Sequence, residues 1–210
     1  MMRIITGKAR GIRLKTLEGD ATRPTSERVK EAVFSMLQFD IEGRAVLDLF
    51  GGSGQLALEA LSRGAARATI IDQSRDAVNI IIENAKKTRL FDKCRISAAD
   101  FTSFIRGAAG REKYDLIFLD PPYNTDLLPA SLKAIASADI CAVGAQIVCE
   151  TDCDIPVNKS RMRKDEDLAT EYVMNDVFGG DEELASRYEV KKTTLYGRTR
   201  ITVLTPSTAE

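Results

Sequence analysis

An α/β fold, built on a mostly parallel sheet with helices on both faces, is what this chain predicts, and two observations predict it. Strand-like and helix-like segments alternate between residues 45 and 150. The strand-like segments are nearly continuous apolar runs, the pattern of strands buried on both faces of a parallel sheet. A length of 210 residues, 44% hydrophobic and 29% charged, fits one large soluble domain, or one domain with a small appendage.

Taken in order, Arg3–Thr6 and Ile12–Leu17 are short β-prone runs around the turn Gly7–Gly11, which predicts an N-terminal hairpin. Pro24 with Thr25 or Ser26 opens a helix whose apolar positions Val29, Ala32, Val33, Met36 and Leu37 keep helical spacing. Ala45–Phe50, Ala68–Asp72, Cys94–Ser97, Tyr114–Leu119 and Ala145–Glu150 read as strands. Between them Gln55–Arg63, Arg75–Arg89, Phe101–Gly107 and Asp126–Ser137 read as helices. Tyr188–Tyr196 and Thr199–Leu204 flank a Gly-Arg turn and close the chain as an antiparallel pair. Residues 154–186 are polar and charged, with a turn at Phe178–Asp181, and read as an irregular insert.

Composition narrows the chemistry. The chain has no histidine, and Cys94, Cys141, Cys149 and Cys153 show no CxxC spacing, which argues against a mononuclear zinc site and for reduced thiols. Without histidine, catalysis rests on carboxylates, Lys, Tyr, Cys or a reactive cofactor. No apolar run approaches the roughly 20 residues of a spanning helix, and Met1–Arg10 lacks the apolar core of a signal peptide. A net charge of −1 argues against coating nucleic acid through bulk charge. Residues 1–30 nevertheless carry Arg3, Lys8, Arg10, Arg13, Lys15, Arg23, Arg28 and Lys30 against Glu18, Asp20 and Glu27. That bias suits phosphate contacts as well as an ordinary solvated face.

The most telling motif is Asp120-Pro121-Pro122-Tyr123, directly after the apolar run Tyr114–Leu119. Two prolines fix the backbone and donate no hydrogen bond, so a carboxylate, rigid carbonyls and an aromatic face meet at one strand end. Such a turn can hold a planar amino group. Upstream, Val46–Phe50 runs into Gly51-Gly52-Ser53-Gly54 and a helix, and Asp72 ends the next strand. Glycines admit close ligand approach, and an acidic strand end can accept from ribose hydroxyls. Gly52-x-Gly54-x-x-Ala57 also fits the dinucleotide fingerprint, so an NAD-type oxidoreductase has to be weighed. Asp100 follows the third strand, where it can meet an adenine beside Phe101 or simply cap a helix.

The Asp-Pro-Pro-Tyr turn separates these classes. Hydride transfer has no need of it, whereas methyl transfer from S-adenosylmethionine needs mainly in-line positioning of a nucleophile. Hydrogen bonds from an exocyclic amino group to Asp120 and the Pro121 carbonyl would orient it and stabilise the charge developing on nitrogen. Tyr123 would stack on a base that is unpaired or flipped out.

The glycine loop, acidic strand end and Asp-Pro-Pro-Tyr, in this order, resemble an amino-directed S-adenosylmethionine-dependent methyltransferase. Arg23-Pro24-Thr25, Arg28-Val29-Lys30-Glu31-Ala32, Leu47–Gly54 and Leu58-Glu59-Ala60-Leu61-Ser62-Arg63-Gly64-Ala65 make the chain similar to the RsmD family. These bacterial enzymes methylate the N2 amino group of one guanine in small-subunit ribosomal RNA. The similarity covers about residues 1–150, and Leu195-Tyr196-Gly197 with Thr199 is similar to the family's tail. Gly52 stands where the family usually has Ala, and Asp72 where it often has Glu.

The resemblance implies a Rossmann-like, seven-stranded methyltransferase fold with a C-terminal antiparallel hairpin. An N-terminal β-hairpin extension (1–22) would precede the methyltransferase domain (23–206). It implies S-adenosylmethionine as donor, S-adenosylhomocysteine as product and no metal. Asp48, Phe50, Gly51, Gly52, Gly54, Asp72, Asp100 and Phe101 would surround the cofactor. Asp120, Pro121, Pro122 and Tyr123 would hold the target, and Arg10, Arg13, Arg23, Thr25 and Arg28 would contact RNA. The implied partner is 16S ribosomal RNA, within a 30S subunit or an assembly intermediate, met by a cytoplasmic monomer. Rival readings are another amino group on the same fold (adenine N6 in DNA, or a protein glutamine), where Asn is commoner at position 120, and a catalytically silent RNA-binding relative.

Overall fold

The apolar runs assemble into one sheet. A computed structural model describes residues 2–17, 27–37, 39–123, 125–152 and 166–207. In chain order these form α1 (Glu27–Met36), β1 (Ala45–Asp48), α2 (Gln55–Ser62), β2 (Arg67–Asp72), α3 (Arg75–Lys87), β3 (Cys94–Ala98) and α4 (Phe101–Ala108). They continue with β4 (Tyr114–Leu119), α5 (Leu127–Ala138), β5 (Cys141–Asp152), α6 (Glu166–Phe178), α7 (Glu182–Ser186), β6 (Tyr188–Tyr196) and β7 (Thr199–Pro206). The sheet order is β3-β2-β1-β4-β5-β7-β6. β1 to β5 pair in parallel, while β7 runs antiparallel to both β5 and β6. The fold is therefore the predicted one, a mostly parallel seven-stranded sheet closed by an antiparallel hairpin.

Topology places the functional strand ends together. β1 and β4 are neighbours, with Leu47 opposite Ile117 and Asp48 opposite Phe118. The chain leaves β1 toward β2 on one side and β4 toward β5 on the other. Their carboxyl ends thus flank the switch point at which doubly wound sheets bind ligands.

The two-residue period of the strands feeds two separate cores. Val46, Ile70, Leu116, Phe118 and Val148 pack on one face with Val33 and Phe34 of α1 and Leu58 and Leu61 of α2. Leu47, Ile71, Ile117, Leu119 and Ile147 pack on the other with Phe104, Ile105, Leu132 and Ile135. No helix among the described residues is long and apolar enough to cross a membrane. Cys94, Cys141 and Cys149 are free thiols.

The N-terminal segment is folded onto the first core. Ile4 N–H donates to Ile12 O (2.9 Å), Gly11 N–H to Ile4 O (2.8 Å) and Leu14 N–H to Met2 O (3.0 Å), with one antiparallel bridge from Arg3 to Arg13. Ile4, Ala9 and Leu14 are buried in that core. Glu59 of α2 ties the segment down: its carboxylate accepts from Ile5 N–H (2.7 Å) and Thr6 N–H (3.0 Å) and faces the buried Lys30 ammonium at 3.5 Å. Burial pushes the Lys30 amine below its usual range, and the Glu59 charge opposes that shift.

The stretch 154–186 needs correction. Its described residues form helices α6 and α7 rather than irregular chain, with Val173, Val177, Phe178 and Leu184 buried in the second core. Short apolar stripes among charged residues gain helical stability from a packing partner, here α5. The expected helix opening at Pro24–Ser26 lies outside the described residues.

Candidate active site

From Asp48 the chain passes through Leu49 and Phe50 into the glycine loop and then α2. Gly51 N–H donates to Ile71 O at 2.8 Å, which seats the loop on the end of β2. A Cβ at Gly51 would stand 2.7 Å from Ile70 Cγ2 and 2.9 Å from Ile81 Cδ1, closer than side-chain packing permits. Gly54 has φ +78° and closes onto Gly51 O at 2.6 Å, leaving the start of α2 without a side-chain cap. Asp72 holds the loop from the other side: Oδ2 accepts from Gly52 N–H and Oδ1 from Ser74 N–H, each at 2.8 Å. Each oxygen keeps a second lone pair for a ligand.

Asp48 is almost fully buried, and its Oδ1 has no hydrogen-bond partner among the described residues. Burial pushes its carboxyl up to about 7, against the pull of the Phe50 and Ala57 N–H groups. A buried acceptor without a donor is costly, so this atom marks a place where a cationic ligand group fits. The Phe50 ring, just past β1, and the Phe101 ring, just past β3, pack on each other at 5.8 Å and 47°. Asp100 is the N-cap of α4: its Oδ1 accepts from Ser103 N–H (3.0 Å) and from the Thr102 hydroxyl. Those bonds hold its exposed carboxyl well below the usual range.

Asp120 is half-buried at the end of β4, Pro121 is buried and Pro122 is exposed. The Thr125 hydroxyl donates to Pro122 O at 2.7 Å. The Tyr123 hydroxyl donates to Glu150 Oε1 at 2.7 Å. Burial first, then the Glu150 and Asp120 charges, push the phenol far above its ordinary range, so it is a neutral donor. Pro121, Pro122, Tyr123, Glu150 and Asp176 border a concavity of about 190 Å³, and Asp120 is not part of its lining. Among the described residues no group of three or more His, Cys, Asp or Glu side chains is placed to hold a metal ion.

Of the expected RNA contacts, Arg10, Arg13 and Arg28 are exposed, while Arg23 and Thr25 lie outside the described residues. The N-terminal segment lies against the glycine loop. Ser53 Oγ donates to Met2 Sδ at 2.9 Å. Asn84 of α3, fully buried, accepts from Lys15 N–H (2.8 Å) and donates to both Lys15 O and Ser53 O (2.9 Å each). Sequence reasoning singled out neither Asn84 nor Glu150 as functional. Asn84 gives no signal in a helical pattern, whereas Glu150 has one: like Asp48, Asp72 and Asp120, it is an acid near the carboxyl end of a parallel strand.

The model of a family described as "Conserved hypothetical protein 95" matches residues 2–170. The chain is 37% identical over 155 residues to a putative rRNA methyltransferase of Bacillus subtilis, covering 73% of this chain and 84% of that one. It is 33% identical over 168 residues to ribosomal RNA small subunit methyltransferase D of Escherichia coli, covering 78% and 83%. Among solved structures, a putative methyltransferase from Escherichia coli superimposes with a TM-score of 0.75 at 25% identity, covering 99% of both chains.

Proposed function

The chain belongs to the RsmD family, and on that footing we propose that it methylates the exocyclic N2 amino group of a guanine in small-subunit ribosomal RNA, with S-adenosylmethionine as donor. The observation that carries this reading is the adjacency of Asp120–Tyr123 at the end of β4 to the glycine loop at the end of β1. A site for an amino group and a cradle for an amino-acid-bearing nucleoside thus share one crevice. The likeness to proteins named for rRNA methylation supports the substrate class.

The residues present fit the cofactor. Asp48 Oδ1 would take the ammonium of its methionine part and the uncapped start of α2 its carboxylate. Asp72 would accept from the ribose hydroxyls, and Phe50 and Phe101, packed on each other, would form one apolar wall for the adenine beside Asp100. When bound, S-adenosylmethionine supplies an electrophilic methyl group.

On the target side, Asp120 and the Pro121 carbonyl accept from the two amino hydrogens and favour the pyramidal geometry a nucleophilic nitrogen needs. The same acceptors stabilise the positive charge that develops on nitrogen. Once methylated, that nitrogen is acidic, and Asp120 or water takes its proton, so no histidine is required. Tyr123 stacks on the base. Arg10, Arg13 and Arg28 contact phosphates of 16S ribosomal RNA in a 30S subunit or an assembly intermediate, with residues 1–22 as an RNA-facing extension of domain 23–206. The setting is the cytoplasm and the protein acts as a monomer.

The test is incubation with tritium-labelled S-adenosylmethionine and separated small-subunit RNA, DNA and protein, followed by mapping of the modified nucleotide. Label at N2 of a single guanine is expected. Label at adenine N6 or on a protein amide would redirect the reading to those amino groups.

A further inference from the structure

Tyr123 is held at both ends. Its backbone follows two prolines, and its hydroxyl donates to Glu150 Oε1 at 2.7 Å. The Thr199 side chain stands near the same phenol, where its hydroxyl opposes the upward shift that burial and Glu150 impose. Glu150 lies near the end of β5 and Thr199 opens β7, both of them buried, on strands that pair antiparallel with Asp152 opposite Thr199. Two buried polar groups, Glu150 on β5 and Thr199 at the start of β7, therefore flank the hydroxyl of one aromatic side chain of the Asp-Pro-Pro-Tyr turn. A tyrosine ring with a free hydroxyl would turn about two side-chain bonds, and an anchor at its far end removes that freedom. Misplacing a reacting group by about 1 Å can cost roughly 100-fold in rate, so fixing the wall against which the base rests has kinetic weight.

We propose that Glu150 and Thr199 are positioning residues for Tyr123, and that through Thr199 the β6–β7 hairpin is part of the target-base site. This rests on the reading of Tyr123 as the surface on which the base stacks. It also gives a task to the turn Leu195–Thr199, which the transfer chemistry leaves without one. Neither residue touches the reacting atoms; both act through the phenol.

The test is a double-mutant cycle on methyl transfer to small-subunit RNA. Tyr123→Phe keeps the ring, removes the hydroxyl and is expected to lower kcat about tenfold. Glu150→Ala should cost a similar factor, and the double variant no more than the worse single one, because both remove the same restraint. Glu150→Gln keeps an acceptor oxygen and should recover to within about threefold of the unaltered protein. A second cycle, Tyr123→Phe with Thr199→Val, leaves Glu150 in place and decides the matter if Glu150→Ala does not fold. S-adenosylhomocysteine affinity, measured by calorimetry, should stay unchanged throughout. Multiplying losses in the double variants, or an unchanged kcat for Tyr123→Phe, would overturn the inference while leaving the methyltransferase reading intact. No transfer by the unaltered protein to any RNA would overturn both.

Discussion

On the β1–β2 side of the crevice, Gly51, Gly52, Gly54 and Ser74 all direct their N–H groups at protein acceptors, and Asn84 ties Ser53 O to α3. On the β4–β5 side the chain turns on two prolines that donate nothing, and the restraint comes from side chains, Thr125 on Pro122 O and Tyr123 on Glu150. The first half is braced by its own hydrogen bonds, and Asp48 Oδ1 and Gln55 Oε1 are its buried acceptors without a partner among the described residues. The second sets the Asp120 carboxylate and a proline-fixed backbone at a strand end, the arrangement proposed above to meet an amino group. The contrast suits a small cofactor met by backbone geometry and a large substrate met by a few side chains.

If the two halves are separable, their variants separate too, and the largest effect falls on the target side. Asp120→Ala is expected to lower turnover by roughly 100- to 1,000-fold, the loss typical of removing a group that stabilises developing charge. Calorimetry with S-adenosylhomocysteine should show affinity within about threefold of the unaltered protein. A collapse of both together would mean that the halves form one unit.

The mirror-image experiment is Gly51→Ala. The added Cβ meets Ile70 and Ile81 below 3.0 Å, and the close contact of Gly51 with Ile71 O leaves little room to retreat. Overpacking of this kind costs about 1–3 kcal/mol. Here it should appear as a roughly 10- to 100-fold loss of S-adenosylhomocysteine affinity, with turnover at saturating cofactor much less affected. Equal losses in kcat would show that the loop also shapes the target side.

A subtler probe of the cofactor half is pH. The Asp48 carboxyl sits at about 7, above its usual 3.8, because it is buried. The folded protein therefore holds this proton more tightly than the unfolded chain, and its stability falls as pH rises from the ordinary carboxylate range to about 7. A ligand ammonium selects the ionised form, so affinity moves the opposite way over the same window. S-adenosylhomocysteine binding should weaken by up to about tenfold per pH unit below about 7, and Asp48→Asn should bind weakly with a flat profile. A profile unchanged by Asp48→Asn would remove Asp48 from the ammonium site.

How much of this is legible in the sequence follows from which interactions are local. The strands, the glycine loop and Asp120–Tyr123 are read from contiguous residues, since an apolar run and a proline pair fix their own backbone. Asp100 shows the limit of a single residue: helix cap and adenine contact both favour Asp there, and the structure realises the cap. Asn84 is illegible because a polar residue on α3 gains its meaning only from Lys15 and Ser53, 69 and 31 positions away. α6 fails for the same reason: Val173 and Val177 make a stripe only once the second core is there to receive them. Glu150 is half legible, an acid at a strand end whose partner, Tyr123, lies on the neighbouring strand's turn.

The smallest effect concerns the exposed N-terminal surface proposed above to meet RNA. Arg10 and Arg13 are exposed on the segment that Asn84 and Met2 hold against the glycine loop, and neither makes an ion pair among the described residues. If both meet phosphates, Arg10→Ala with Arg13→Ala removes two contacts. The slope of log affinity against log salt should then fall by about 1.4 for a single-stranded target, and affinity at physiological salt by roughly tenfold. Cofactor affinity and the fold should not move, because both side chains lie outside the cores. An unchanged slope would make this face ordinary solvated surface and leave RNA recognition to the target half. A slope that changes only when S-adenosylhomocysteine is present would say instead that the cofactor cradle sets the arm through Asn84, so the two halves communicate after all.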